Sequence, residues 1–395
     1  MSYMDDWEDA FRLDAQFAVT VVDIQHRQQV VAISKVITRF NLIVGLHSVL
    51  RTSTAAEALE QLATILDRRN GKFICLVGDE VNLHNALLSA KLSVLKNLAP
   101  DYVGTQLPLE AGRWLYDDIP TKVVSLPHAL NSHYWFAEND NKNRPIDIGA
   151  ISVKYPIYLG DIDRNRLFEQ FTSIQKSHPD RYKFALQNGQ DVRLTRSGWR
   201  DFMRSCKGTI SCEAGSSFLE RDDATVLAVM EYLENAAKSS GKYVVKDGFP
   251  RRIFQSLPKK LRALVKSTLQ ARQILGKTYS GIDELAYSSE YFKEVYEIFF
   301  GPYKRLPFVT KAISSRHFDA IGSNTCQILV EGYYNGILEK DRHYIGLNQD
   351  FSNISSVLER FSDHSYRATI CREAREMVLE SNTFEHRLAY VKQLL

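Results

Sequence analysis

Residues Ser314–Leu347 read SSRHFDAIGSNTCQILVEGYYNGILEKDRHYIGL. Two short apolar runs stand out, Cys326–Val330 (CQILV) and His343–Leu347 (HYIGL). Each has the length and the polar borders of a buried strand. Ahead of the first run, Arg316, Phe318, Asp319 and Ala320 open a helix that ends in small residues at Gly322–Ser323. Glu331 and Gly332 follow CQILV directly. They are expected at a strand's carboxyl end, where open α/β sheets receive ligands.

The same alternation runs outward from this stretch. Upstream lie Asp147–Ser152 (DIGAIS), Tyr182–Gln187 (YKFALQ) and Gly208–Glu213 (GTISCE). Further back are Phe17–Ile24, Asn41–Leu46, Lys72–Val77, Asp101–Gly104 and Lys122–Leu126, with helix-period segments between them. One of those helices is expected to open on a capping box at Thr54–Glu57. Val-, Ile- and Phe-rich strands joined by crossover helices predict parallel sheets covered on both faces. Residues 1–136 make one Rossmann-like domain, and the polar run Ala137–Pro145 reads as a linker. Residues 137–375 make a second such domain, carrying a mostly helical insert at about 224–311. In 376–395, Phe384, Leu388, Val391 and Leu395 share a face expected to pack back on the first domain.

Composition narrows the function. A net charge of +3 does not suggest a general nucleic-acid binder. The opening residues lack an apolar signal core, and no run of 18 apolar residues spans a bilayer. The odd number of cysteines, five, scattered along the chain, suits a reducing compartment, so the expectation is a cytoplasmic protein. No CxxC or HxxxH spacing suggests zinc. One local feature departs from neutrality: Lys242–Lys277 holds ten basic residues and a single acid, Asp247. Leu257, Leu261, Leu264, Val265 and Leu269 recur there at near-helical spacing. Such a segment suits peripheral attachment to an anionic inner membrane face, or a packed helix with a solvated basic side.

The residues Arg316, Phe318, Asp319, Ala320 and Gly322 with the strand CQILV resemble the donor half of GT-B glycosyltransferases of the spore-protein and polysaccharide-cluster group. Asp319 stands where that group carries glutamate. The stretch Val123–Phe136 (VVSLPHALNSHYWF) looks like the group's domain junction. The resemblance implies a GT-B fold, two Rossmann-like domains facing a cleft, and transfer of a sugar from a nucleotide-sugar. It implies a saccharide or lipid-linked acceptor in bacterial surface polysaccharide synthesis, with no cofactor and no metal. A nucleotide-sugar epimerase or hydrolase on the same architecture is the rival enzyme, and a non-catalytic sugar-binding relative the third reading.

On that resemblance Asp319 meets the ribose and Arg316 the diphosphate. A helix N-terminus and an arginine fork both suit phosphate oxygens. His317, Glu331 and Gly332 join the donor site by position, and Lys154 and Arg164, after DIGAIS, are candidate diphosphate cations. Gly215 offers a close backbone approach beside Glu213. Candidate catalytic bases are the strand-end residues His47, Asp79, Glu80 and Glu213.

Overall fold

A computed structural model describes residues 2–136, 141–189, 194–239, 285–303 and 305–395. The first domain runs α1 (Ser2–Leu13), α2 (Arg27–Ser34), β1 (Leu42–Gly45), α3 (Ser53–Glu60), α4 (Ala63–Leu66), β2 (Lys72–Leu76) and α5 (Leu88–Leu98). It continues through β3 (Tyr102–Thr105), α6 (Leu109–Leu115), β4 (Lys122–Ser125) and α7 (Ser132–Trp135). Its four strands are all parallel and stand in the order β1-β2-β3-β4.

That order has a packing consequence. Right-handed crossovers that always step the same way leave every connecting helix on one face of the sheet. Phe73 and Cys75 of β2 meet α3 to α6 there, through Leu59, Leu66, Leu95 and Leu115. Ile74 and Leu76, alternating with them, point to the bare face. Two elements from outside the crossovers cover it. One is α1, through Trp7, Ala10 and Phe11; the other is α15 (Phe384–Lys392), through Phe384, Leu388 and Val391. The last helix therefore packs on the first domain; Leu395, beyond its end, is exposed.

The second domain runs β5 (Ile146–Ser152), α8 (Asp163–Ser177), β6 (Phe184–Asn188), α9 (Arg196–Ser205), β7 (Cys206–Ser211) and β8 (Ala214–Gly215). After α10 (Ala224–Ser239) and α11 (Ser289–Val295) it resumes with β9 (Lys311–Ala312), α12 (Ser315–Gly322), β10 (Cys326–Val330) and β11 (Ile345–Leu347). Helices α13 (Ile354–Ser362) and α14 (His364–Ser381) follow. Its parallel sheet has the order β6-β5-β7-β10-β11, so the chain reverses direction between β5 and β7. The two tandem parallel α/β sheets expected from the apolar runs are both present.

Several expectations need correction. Phe17–Ile24 forms no strand; it is irregular, half-buried to exposed, and α1 precedes it. A β-branched run favours a strand only where a neighbour offers a ladder. Helix α3 is capped by Thr52, whose hydroxyl accepts from the Ala55 N–H, not by a box at Thr54–Glu57. The polar run 137–145 ends inside the second domain. There Arg144 is buried and donates to the Cys206 and Ser323 carbonyls and to Thr325. The basic segment Lys242–Lys277 lies outside the described residues.

The domains interlock. Asp223, fully buried at a φ of 59°, accepts from the Leu88 and Ser89 N–H groups and from Asn82 Nδ2. A carboxylate of the second domain thereby caps α5 of the first. Asn335 Nδ2 also reaches the Gln106 carbonyl, 2.9 Å away.

Candidate functional site

The reversal between β5 and β7 places a crevice at their carboxyl ends. Ser152 ends β5 and Ser211 ends β7, and both line one narrow cavity with Arg164, Trp199, Gln327 and Arg316. Arg164 comes from the first turn of α8, and Arg316 from that of α12. Arg316 donates to Ser152 Oγ at 3.0 Å and lies 5.9 Å from the Trp199 ring. The Arg164 guanidinium rests 3.9 Å above the Tyr155 ring. Neither arginine pairs with a carboxylate among the described residues. Burial, and secondarily the charge of Arg164, push the Arg316 guanidinium down to about 10. Gln327 adds two buried amide atoms with no hydrogen-bond partner among the described residues. Two adjacent cations beside open amide groups suit a polyanion with bridging oxygens.

Asp319 sits one turn beyond Arg316, buried, and its Oδ2 accepts from Trp199 Nε1 at 2.9 Å. Burial raises its carboxyl well above the usual range. His317 turns inward instead. Its Nδ1 accepts from the Ser314 N–H at 3.0 Å, so it caps α12 as a glutamate would. Burial lowers the ring to about 3, and Nε2 has no partner among the described residues.

The remaining donor candidates scatter. Lys154 borders a separate open hollow with Glu169, Lys176 and Asn188. Glu331 pairs with Lys340 at the surface. Gly215, at a φ of 97°, pairs with Lys311 in the β8–β9 ladder, and its N–H points to the Tyr155 hydroxyl. It is a ladder residue of β8, where a phosphate cradle was expected. Glu213 is buried, burial raises its carboxyl, and Oε1 accepts from the Tyr334 N–H at 2.7 Å. A Cβ on Gly332 would stand 2.4 Å from Glu213 Oε2, so Gly332 is needed to seat that carboxylate. Glu213 organises the loop after β10.

In the first domain Glu80 is likewise enclosed. It accepts from Thr105 Oγ1 (2.6 Å), Tyr116 OH (2.5 Å), and the Gln106 and Leu107 N–H groups (2.8 and 3.4 Å). These bonds replace the expected base with an anchor for the loop after β3. Asp79 keeps a carboxylate 47% exposed, 3.5 Å from Arg51 Nε. His47 is 1% exposed, neither ring nitrogen has a partner among the described residues, and burial lowers it to about 3. A ring the sequence reading passed over, His128, lies 5.6 Å from it. Burial lowers His128 too, helped by the neighbouring His47 and, across the domain boundary, His317. His128 stands in the quoted VVSLPHAL, three residues past β4; the strand-end rule applied to His47 would have found it. Trp199 and Ser152 carried no comparable signal.

The arrangement is thus a pair of cations on the second domain, and a group of neutral imidazoles where the domains meet. No family model and no curated protein matches the sequence. Among solved structures, Anabaena HepE in complex with UDP aligns over 93% of this chain and 82% of its own, at 9% identity and a TM-score of 0.44. TarM aligns over 92% of this chain and 57% of its own, at 9% and 0.43. Sucrose-phosphate synthase from Thermosynechococcus elongatus aligns over 96% and 80%, at 13% and 0.41. With all three scores below 0.5, the fold rests on the strand order itself.

Proposed function

We propose that the protein is a glycosyltransferase of the GT-B type whose nucleotide-sugar donor binds at the β5–β7 reversal. One observation carries the reading: Arg164 and Arg316 converge there with no salt bridge to a carboxylate among the described residues. Burial and the charge of Arg164 disfavour the Arg316 cation, a cost that an arriving anion relieves. A diphosphate supplies that anion, and the same two cations then hold the charge that develops on it as a leaving group. Asp319, held at Oδ2 by Trp199, is assigned to the ribose on the sequence resemblance. The sugar would extend from the diphosphate toward His47, His128 and His317, whose neutral rings both donate and accept hydrogen bonds. On the same resemblance the acceptor is a saccharide or lipid-linked saccharide of a bacterial surface polymer. Among the described residues no helix is long and apolar enough to cross a membrane.

The test is calorimetry with UDP, GDP and CMP on the wild type, Arg164→Ala and Arg316→Ala. One nucleotide should bind the wild type, and each variant should bind it about 10- to 150-fold more weakly, as for a lost charge-assisted hydrogen bond. Unchanged affinity in both variants removes the assignment. Product analysis with and without a saccharide acceptor then separates transfer from hydrolysis.

A further inference from the structure

Helix α1 belongs to neither sheet's crossovers, yet it touches both domains at the cleft. Trp7 and Phe11 are buried on the back of the first sheet and fix the middle of the helix there. One turn earlier, the Tyr3 ring stands edge-on to His47 at 5.2 Å and tilted against His128 at 4.9 Å. On the neighbouring side, Asp6 and Asp9 both take the Arg196 guanidinium of α9, in the second domain. Asn131 Nδ2 reaches the same two carboxylates at 3.0 and 2.9 Å. Arg196 also lies 3.8 Å above the Tyr134 ring. The first two turns of α1 are therefore clasped across the domain boundary, with Tyr3 over the histidines.

What Tyr3 covers is chemically unfinished. A neutral imidazole carries one N–H donor and one acceptor nitrogen. Among the described residues His47 has both without a partner, His128 has Nδ1 without one, and the two rings are buried. Buried polar atoms in folded proteins are almost always bonded, and leaving them unmet costs their full desolvation. No hydrogen bond joins Tyr3 to either histidine; it offers them only its ring.

We propose that the first turns of α1 form a lid, with Tyr3 as its plug and Arg196 as its latch, over a subsite in which His47 and His128 bind the hydroxyl groups of a saccharide. An entering hydroxyl both donates and accepts, so it satisfies the imidazole atoms that Tyr3 leaves unmet. The Tyr3 ring, swung aside, offers a flat apolar face of the kind sugar rings stack on. Burial holds the Asp6 carboxyl up at about 6 even with Arg196 beside it, so closing the latch carries a desolvation cost. The saccharide's identity as acceptor rests on the transferase reading above; the lid does not.

The test maps acylation of His47 and His128 by diethyl pyrocarbonate, using mass spectrometry, in the wild type, Tyr3→Ala and Arg196→Ala without nucleotide. Both variants should acylate the two histidines roughly tenfold faster or more, as expected when a cover with few remaining contacts is released. Methyl glucoside at high concentration should slow acylation again in both. Tyr3→Phe keeps the ring and should react like wild type, and hydrogen exchange over residues 7–13 confirms that the helix remains folded. Unchanged acylation in both alanine variants overturns the lid; fast acylation that methyl glucoside does not slow overturns the saccharide subsite. Nucleotide affinity should stay constant across the set. A wild type that binds no nucleotide refutes the transferase assignment while these acylation outcomes still decide the lid.

Discussion

The two sheets have the same strand direction and nearly the same strand count, and they differ in one step of connectivity. The first advances β1-β2-β3-β4 without turning back, whereas the second reverses between β5 and β7. In the first, two of the polar residues at the strand ends are sealed: Glu80 spends its carboxylate on four donors, and His47 lies under Tyr3. In the second, crossovers leaving in opposite directions open a crevice, and Arg164 and Arg316 line it without a salt bridge among the described residues. Strand-end position alone therefore does not make a residue functional. Connectivity decides whether the end is closed by its own loops or left for a ligand.

The strongest challenge to this contrast is Glu80→Ala. Removing the carboxylate strands Thr105, Tyr116 and two backbone N–H groups in a buried pocket. Each orphaned group costs about 1–3 kcal/mol, offset in part by relief of the buried charge, so a loss of about 4 kcal/mol is expected. Urea unfolding measures it. A loss under about 1 kcal/mol would mean that the first sheet's strand end is not sealed.

Arg316→Ala should behave in the opposite way. It removes one of two cations that repel each other, so stability should hold within about 0.5 kcal/mol or rise. Nucleotide affinity should meanwhile fall by the 10- to 150-fold given above. A variant that melts early with intact affinity would make Arg316 an ordinary packing residue and erase the difference between the sheets.

Asp223→Ala probes the seam between them. It deletes the cap of α5 together with the bond to Asn82, and caps of this kind are worth about 1–2 kcal/mol. Because Asp223 belongs to the second domain, unfolding followed separately by Trp114 and Trp199 fluorescence should split into two transitions. A single shifted transition would show that the domains stay coupled through Asn335, the Arg196 clasp and the shared core.

How much of this was legible in the sequence follows from the range of each interaction. CQILV, KFICLV and DIGAIS declare themselves as strands because burial on both faces demands unbroken apolar runs. Arg316 and Asp319 could be singled out together because the residues of one helix start lie within a turn of each other. Helix α1 was missed because its only buried apolar residues are Trp7, Ala10 and Phe11, in an otherwise acidic segment, while FAVTVVDI next to it looked more regular than it is. Glu213 was misjudged because the N–H group it binds, on Tyr334, lies 121 residues away. The Arg196–Asp6 clasp joins residues 190 apart. No local pattern encodes such pairings; only the folded topology brings them together.

The subtlest effect concerns His47 and uses pH. In the native protein burial holds its ring neutral down to about 3, whereas in the unfolded chain it takes a proton near 6.5. As pH falls below 6.5 the unfolded state gains a proton that the native state refuses, so the histidine withdraws stability progressively toward pH 3. His47→Phe keeps a ring under Tyr3 and removes the titration. Above pH 7.5 the variant should differ from wild type only by packing. At pH 5.5 it should have gained about 1.4 kcal/mol relative to wild type, one tenfold step in the unfolding equilibrium. Urea midpoints at the two pH values give the gap directly; His317 is common to both proteins, and burial, the largest cause, keeps His128 low whether or not His47 is beside it. A gap that stays constant with pH would mean that His47 is protonated in the folded protein. Water would then reach it, and the first sheet's strand end would be as open as the second's.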